Sequence, residues 1–144
     1  MRILVVGMGL IGGSICKSIK AATSHAVYGC DVQQAVLDDA IADGAIDGTG
    51  TMTDGTYDMI ILCLHQRIAI QMVQEALPKI PAGTILVDTC GLKGRMVRDL
   101  TYRCRKADVR YVGTHPMAGR EKNGYYASIP NLFQNANLIV TPVD

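Results

Sequence analysis

The sequence is poor in aromatic residues: among its 144 residues it has no tryptophan and a single phenylalanine. It also lacks an excess of charge, since 14 basic and 13 acidic side chains leave a formal net charge of +1. Nucleic acids and anionic membrane surfaces attract strongly basic proteins, so we expect neither as a partner. No apolar run approaches the roughly 20 residues that a membrane-spanning helix requires. The apolar N-terminal stretch enters a glycine-rich segment too early to be a signal peptide.

Paired cysteine motifs are missing as well. The five cysteines are odd in number and show no CxxC spacing: Cys16, Cys30, Cys63, Cys90 and Cys104. This pattern is typical of reduced thiols in the cytoplasm, and it predicts neither a disulfide framework nor a metal site. A chain of this length is sufficient for one hydrophobic core, so we expect a single domain over residues 1–144.

Short apolar runs alternate with segments of helical periodicity. Strands are predicted at residues 3–6, 26–30, 59–64, 84–87, 109–112 and 138–141. Between them, apolar residues recur at helical spacing. Those of the first helix, which should face the sheet, are Ile11, Ile15, Ile19 and Ala22. Those that mark the later helices are Val36, Leu37, Ala40, Ile41, Ile68, Met72, Val73, Ala76, Leu77, Met96, Val97, Leu100 and Cys104. Residues 45–57 are predicted to be loop with one short strand at most, and residues 120–137 to be irregular. The alternation predicts an α/β fold, a doubly wound, mostly parallel sheet with helices on both faces.

A GxGxxG motif lies between the first predicted strand and the first predicted helix. Its first glycine permits a tight turn, the second lets a pyrophosphate approach the backbone, and the third lets helix and strand pack closely. The N–H groups at the helix N-terminus then face the phosphates. In this context the motif predicts a Rossmann-type dinucleotide site, formed by Gly7, Met8, Gly9, Leu10, Ile11 and Gly12. The alternative is a glycine-rich turn of a flavodoxin-like or nucleotide-sugar fold.

Asp31 ends the second predicted strand, about 20 residues after the motif. Its carboxylate would accept hydrogen bonds from the adenosine ribose and repel a 2′-phosphate, so we predict NAD rather than NADP. Other polar residues also follow strand ends, where doubly wound sheets bind ligands. Among them is His115, expected just after the strand at 109–112 and restricted to extended geometry by Pro116. From the residues alone, a packed corner histidine and a catalytic base are equally good interpretations.

Together, the segments GMGLIGGS, DTCGLKG and GTHPMAGREKNG, with Asp31, resemble the prephenate dehydrogenase family, whose relatives include arogenate dehydrogenases. The resemblance implies NAD-dependent oxidative decarboxylation of prephenate, a small molecule, to 4-hydroxyphenylpyruvate, with His115 as the base on the ring hydroxyl. It covers only the cofactor-binding half of the family's architecture. An all-helical domain that forms the dimer is therefore expected beyond residue 144. An arogenate dehydrogenase, or an NAD-binding module without turnover, is the alternative.

The resemblance also implies roles for residues near the strand ends. Cys63, Leu64 and His65 should lie beside the cofactor, although His65 could equally cap a helix or be exposed. Gly91 replaces a serine that is common in the family, which removes a hydroxyl donor. Lys93 could bind substrate or cap local structure.

Two further residues follow His115. Glu121 matches an acidic active-site position of the family, and the alternative is an exposed loop residue. Arg120 could bind a substrate carboxylate through two parallel hydrogen bonds or be solvated.

Overall fold

The computed structural model describes residues 1–143, which form one seven-stranded sheet flanked by helices. The strands are β1 (Arg2–Val6), β2 (Ala26–Cys30), β3 (Gly48–Thr49), β4 (Met59–Leu62), β5 (Ile85–Asp88), β6 (Arg110–Pro116) and β7 (Leu138–Thr141). The helices are α1 (Leu10–Ala22), α2 (Gln34–Ala42), α3 (Gln66–Ala76) and α4 (Gly94–Lys106), with 3₁₀ turns at Leu77–Lys79 and Tyr125–Ala127.

The strand order is β3-β2-β1-β4-β5-β6-β7. Neighbouring strands from β3 to β6 are parallel, and β7 runs antiparallel to β6. The chain therefore starts in the middle of the sheet, builds outward to β3, and then crosses to the other side of β1. This confirms the predicted doubly wound, mostly parallel sheet, and it places the switch of direction between β1 and β4.

Two hydrophobic cores lie on opposite faces of the sheet. One packs α3 and α4 against it, and the other packs α1 and α2. Leu4 and Val5 are adjacent in β1 and fully buried in different cores, because side chains alternate between the faces of a strand. Helices on both faces are thus confirmed.

Some apolar residues that recur at helical spacing lie on the outer surface. Ile41 is 45% exposed and Ile68 is 52% exposed, although each recurs at helical spacing with buried apolar residues. The inward face of α2 is formed by Val36, Leu37 and Ala40, which leaves Ile41 outside it. The inward face of α3 includes Ala69 and Ile70, which leaves Ile68 outside it. Ala22, at the last turn of α1, is also exposed and does not face the sheet as predicted.

Several predicted strand boundaries also change, and β5 runs over Ile85–Asp88 instead of residues 84–87. β4 ends at Leu62, so residues 63 and 64 leave the strand. β6 begins at Arg110 and continues to Pro116, well past the predicted end at residue 112. The extension exists because β7 pairs with residues 113–116, and that pairing sets His115 opposite Ile139. His115 is therefore inside a strand and not after its end.

Among residues 1–143, no helix combines the length and apolar character needed to cross a bilayer.

Candidate functional site: a nucleotide edge and a half-buried histidine

The glycine loop between β1 and α1 is built around close backbone contacts. Gly7 has φ of +94°, and a Cβ there would lie 2.5 Å from the carbonyl oxygen of Cys63. A Cβ on Gly12 would lie 1.9 Å from the carbonyl oxygen of Gly7. A Cβ on Gly9 would meet nothing within 4 Å. Gly7 and Gly12 therefore allow the loop to form, whereas Gly9 leaves its outer surface open.

The open surface at Gly9 lies at the N-terminus of α1, because Gly9 is the N-cap residue and makes no side-chain cap. The first N–H groups of a helix have no intrahelical partner, and the helix dipole is positive at this end. The first turn of α1 carries no acidic side chain. Leu10 and Ile11, which follow Gly9, are only partly buried. This arrangement of open space, free donors and positive potential fits a pyrophosphate.

Asp31 directly follows β2 and holds the glycine loop from the side. Its Oδ2 accepts a hydrogen bond of 2.8 Å from the backbone N–H of Met8, and its Oδ1 accepts one of 2.9 Å from the N–H of Gln33. Each carboxylate oxygen keeps a further lone pair for an outside donor. Asp31 is half-buried. It can therefore order the loop and still accept hydrogen bonds from ribose hydroxyls.

The turn after β4 adjoins the same loop. The N–H of Cys63 donates to the carbonyl of Val6 at 2.8 Å, and a Cβ on Gly7 would lie 2.8 Å from a methyl of Leu64. Burial raises the pKa of the Cys63 thiol to about 12, so the thiol is protonated at neutral pH. His65 is exposed at the N-cap position of α3 and its ring makes no cap bond. The structure thus brings Cys63 and Leu64 to the loop and leaves His65 on the surface.

His115 lies further along the same edge of the sheet, on β6. It is half-buried, and its Nδ1 is enclosed without a hydrogen-bond partner in the part of the chain that the structure describes. Gly91, in the loop between β5 and α4, faces the ring: a Cβ at position 91 would lie 3.3 Å from Cε1 and 3.7 Å from each ring nitrogen. The structure therefore brings Gly91 and His115 together, and the missing side chain at position 91 leaves space beside the imidazole.

Lys93 ends the same loop, and its ammonium forms an ion pair with Asp88, the last residue of β5. Asp88 is fully buried and also accepts a hydrogen bond of 2.7 Å from the hydroxyl of Tyr111. Burial, and then this hydrogen bond, raise the pKa of Tyr111. Asp88 is one of the polar residues predicted at strand ends, but sequence reasoning gave it no role, and it did not consider Tyr111. The strand-ending position of Asp88 was a usable signal, whereas nothing in the sequence pairs Tyr111 with it.

Arg120 and Glu121 lie in the loop after β6. Nη1 of Arg120 donates a 2.7 Å hydrogen bond to the carbonyl of Ala127, so part of its guanidinium is engaged within the protein. Glu121 is exposed. Neither side chain has a hydrogen bond with His115 within residues 1–143, and no group of potential metal ligands occurs there.

A doubly wound sheet with a glycine loop after its first strand and a carboxylate after its second defines a dinucleotide-binding domain. The model of the family described as prephenate dehydrogenase, nucleotide-binding domain, matches residues 15–144. This chain belongs to that family, whose members are dehydrogenases.

Similar proteins include dehydrogenases of the same kind. A prephenate dehydrogenase of Lactococcus lactis subsp. cremoris is 31% identical over 97% of this chain and 40% of its own length. A cyclohexadienyl dehydrogenase of Zymomonas mobilis is 31% identical over 98% of this chain and 49% of its own length. The chain thus spans about half the length, or less, of these relatives.

Two solved structures are similar over nearly the whole chain. The prephenate dehydrogenase of A. aeolicus, in complex with hydroxyphenyl propionate and NAD+, has a TM-score of 0.90 and 30% identity over 99% of this chain and 51% of its own. The arogenate dehydrogenase of Synechocystis has a TM-score of 0.88 and 26% identity over 100% of this chain and 51% of its own. These matches confirm the predicted Rossmann-type fold.

Proposed function

We propose that the chain is the NAD-binding part of an enzyme that oxidatively decarboxylates prephenate. The observation that carries the proposal is the enclosed, unpartnered Nδ1 of His115 on the same sheet edge as the glycine loop. Buried polar atoms in folded proteins almost always have a hydrogen-bond partner, so an unpartnered one needs an explanation, such as a bound water or a catalytic role. Because Nδ1 is enclosed, a substrate hydroxyl would meet this imidazole at its other ring nitrogen.

In the proposed reaction the protein binds and orients the substrate and the cofactor, and it exchanges one proton with the substrate. NAD, when bound, accepts the hydride from the ring carbon that bears the hydroxyl. His115 takes the proton of that hydroxyl as the carbon–oxygen bond gains double-bond character, and an imidazole is suited to this at neutral pH. The bond to the departing carboxylate then breaks, its electrons make the ring aromatic, and the proton returns to the ring oxygen. The products are 4-hydroxyphenylpyruvate and carbon dioxide.

Asp31 supports NAD over NADP as the cofactor. Its carboxylate is held beside the glycine loop by the N–H groups of Met8 and Gln33, so it lies where an adenosine ribose would bind. A 2′-phosphate at this position would bring two negative charges together. Val32, the next residue, is 99% exposed and supplies no cation to offset that repulsion.

We propose further that efficient turnover requires a second domain of the kind that occupies the other half of the relatives. Lys93 and Arg120, the two cations considered for substrate binding, are engaged with Asp88 and with the carbonyl of Ala127. An apolar groove between α1 and strands β4 to β7 is open, and Leu138, which lines it, is 60% exposed. A packed domain would cover this groove and supply free cations. Dimerisation through such a domain is part of the same proposal.

The test mixes the chain with NAD and prephenate and follows the absorbance of reduced cofactor. We expect NAD binding by calorimetry and weak turnover or none. Rapid turnover by residues 1–144 alone would contradict the need for a second domain. Arogenate, run in parallel, tests the alternative substrate.

His115→Asn tests the base. It should keep NAD affinity and reduce any turnover by about 10²- to 10⁴-fold, the usual contribution of a general base. With NAD bound, prephenate should also shift the imidazole resonances of His115 in NMR spectra of the chain. His25→Asn is the matched control, because His25 precedes β2, at the end of the strand opposite the glycine loop. Equal turnover by His115→Asn and wild type would remove His115 from this role.

A further inference from the structure

Asp88 collects donors from three parts of the chain. Its Oδ2 accepts the hydroxyl of Tyr111 on β6 at 2.7 Å, and its Oδ1 accepts the N–H of Cys90 at 2.8 Å and the ammonium of Lys93. We call these four residues the Asp88 clasp. The clasp joins the end of β5, the following loop, the start of α4 and the neighbouring strand at one carboxylate.

The clasp is buried, and its charges depend on one another. Asp88 has no exposed surface, and the side chain of Lys93 is 16% exposed. A carboxylate is stable in such a place only when a counter-ion and hydrogen bonds replace its lost water. The lysine is therefore committed to Asp88 and is not a free cation for a substrate carboxylate.

The stem of Lys93 also contacts β6 close to His115. A Cβ on Gly113 would lie 3.2 Å from Cδ of Lys93, so the lysine crosses the strand two residues before the histidine. Thr114, the residue between them, donates from Oγ1 to the main-chain carbonyl of Asp88 at 2.6 Å. Asp88 is thus bonded to the backbone neighbour of His115 and, through Lys93, to the far end of the loop.

That loop carries Gly91, whose Cα faces the imidazole of His115. The bonds of Asp88 to Cys90 and Lys93 fix the residues on either side of position 91. The distance between the loop and the histidine ring therefore depends on the clasp. A loop released at Lys93 would be free to move away from the ring or to collapse onto it.

We propose that Asp88, Lys93 and Tyr111 are positioning residues for His115, acting through the Gly91 loop without contact with substrate. The inference rests on the proposed function, in which His115 exchanges a proton with the substrate. It assigns Lys93 a role different from substrate binding.

The test is the NMR signature of the His115 imidazole in the chain as it exists. The sequence has only three histidines, so His→Asn variants assign each ring. Lys93→Met removes the counter-ion, and Tyr111→Phe removes one donor while keeping the aromatic ring and its ring current. Either variant should move the ¹H, ¹³C and ¹⁵N resonances of His115 by more than a linewidth and leave those of His25 and His65 in place.

Two controls separate positioning from general destabilisation. Lys93→Arg keeps the charge and should return the His115 resonances toward their wild-type positions. Lys20→Met breaks a different ion pair, with Asp47, and should leave His115 unchanged. If circular dichroism shows that Lys93→Met does not fold, the His115 resonances of Tyr111→Phe alone test the inference.

An unchanged His115 signature in folded Lys93→Met, or in Tyr111→Phe when it decides alone, overturns the inference. This outcome differs from failure of the proposed function. Full turnover by His115→Asn would refute the role of His115 as the base, but the resonance shifts in Lys93→Met and Tyr111→Phe would still be observed. Unchanged resonances would refute the positioning role of the Asp88 clasp and would leave the role of His115 as the base untouched.

Discussion

Gly91 faces the imidazole of His115 closely enough that a Cβ at position 91 would lie 3.3 Å from Cε1. This contact is tight but involves a side chain that can shift by a few tenths of an ångström. The backbone of Gly91 has no left-handed φ angle, so other residues can adopt its conformation. Position 91 is therefore open to small side chains, and it controls what lies beside the histidine.

The first prediction concerns a hydroxyl at this position. Gly91→Ser should fold with a change in the free energy of unfolding of about 1 kcal/mol or less, since the loop is exposed. A Cβ at this position lies 3.7 Å from Nδ1 of His115, which has no partner among residues 1–143, so the hydroxyl is within reach of that nitrogen. It should therefore shift the His115 resonances and increase any prephenate turnover. Gly91→Ala supplies the same Cβ without the hydroxyl and is the matched control. Identical spectra and rates for the two variants would show that no hydrogen bond forms.

The second prediction separates two glycines of the cofactor loop. Gly12→Ala forces a Cβ to within 1.9 Å of a backbone oxygen, so it should lower the free energy of unfolding by about 3 kcal/mol in urea titrations. Gly9→Ala meets no atom within 4 Å and should keep wild-type stability. It should nevertheless weaken NAD binding in calorimetry, because its methyl occupies the space that a pyrophosphate needs. Unimpaired NAD binding by Gly9→Ala would place the phosphates elsewhere.

The third prediction concerns Asp31. Asp31→Ala removes a carboxylate that holds the loop and is proposed to accept ribose hydroxyls, so NAD should bind about 10- to 100-fold more weakly, the range expected for hydrogen bonds to a charged group. NADP should lose less affinity, because a repulsive charge disappears with the hydrogen bonds. Asp38→Ala, on the exposed side of α2, is the matched control. A native chain that prefers NADP in calorimetry would contradict this account of the edge.

The fourth prediction concerns pH and the buried thiol of Cys104. Burial raises its pKa to about 11, above the value of about 8.5 for an unfolded thiol. A group whose pKa is higher in the folded than in the unfolded state contributes to the free energy of unfolding. The contribution is complete at pH values below the unfolded-state pKa, and it is lost as the pH rises toward the folded-state pKa. The wild type should therefore lose stability relative to Cys104→Ala from about pH 8.5 upward, by as much as about 1.4 kcal/mol per pH unit.

Urea unfolding of both proteins at a series of pH values measures that difference. The other thiols and tyrosines titrate in both proteins, so subtraction cancels them. Parallel stability curves for the two proteins would show that Cys104 does not contribute.

Much of the fold could be predicted from the sequence because its signals are local. A continuous apolar run such as residues 59–62 indicates a buried parallel strand, and glycines between a strand and a helix indicate a nucleotide loop. The predicted boundary at residue 112 was wrong because the pairing partner of β6 lies some 25 residues further along the chain. Periodicity within a segment carries no information about such a partner.

The candidate site also contains residues that the sequence could identify and residues that it could not. Gly7, Gly9, Gly12 and Asp31 could be identified from spacing alone, because helix and strand geometry fix where such residues meet. Tyr111 could not, since its bond to Asp88 depends on β5 and β6 being neighbours in register.

The sequence by itself determined a doubly wound domain with a dinucleotide loop, because hydrophobic period, turn chemistry and strand-end residues act over a few positions each. Only the tertiary structure decided the surroundings of His115. Its place inside β6, the space left by Gly91 and the engagement of Lys93 with a buried carboxylate each arise from segments that meet across the sheet. Burial makes these contacts energetically important. An ion pair is electrostatically stronger inside a protein than in water, and an unpartnered nitrogen costs more free energy there.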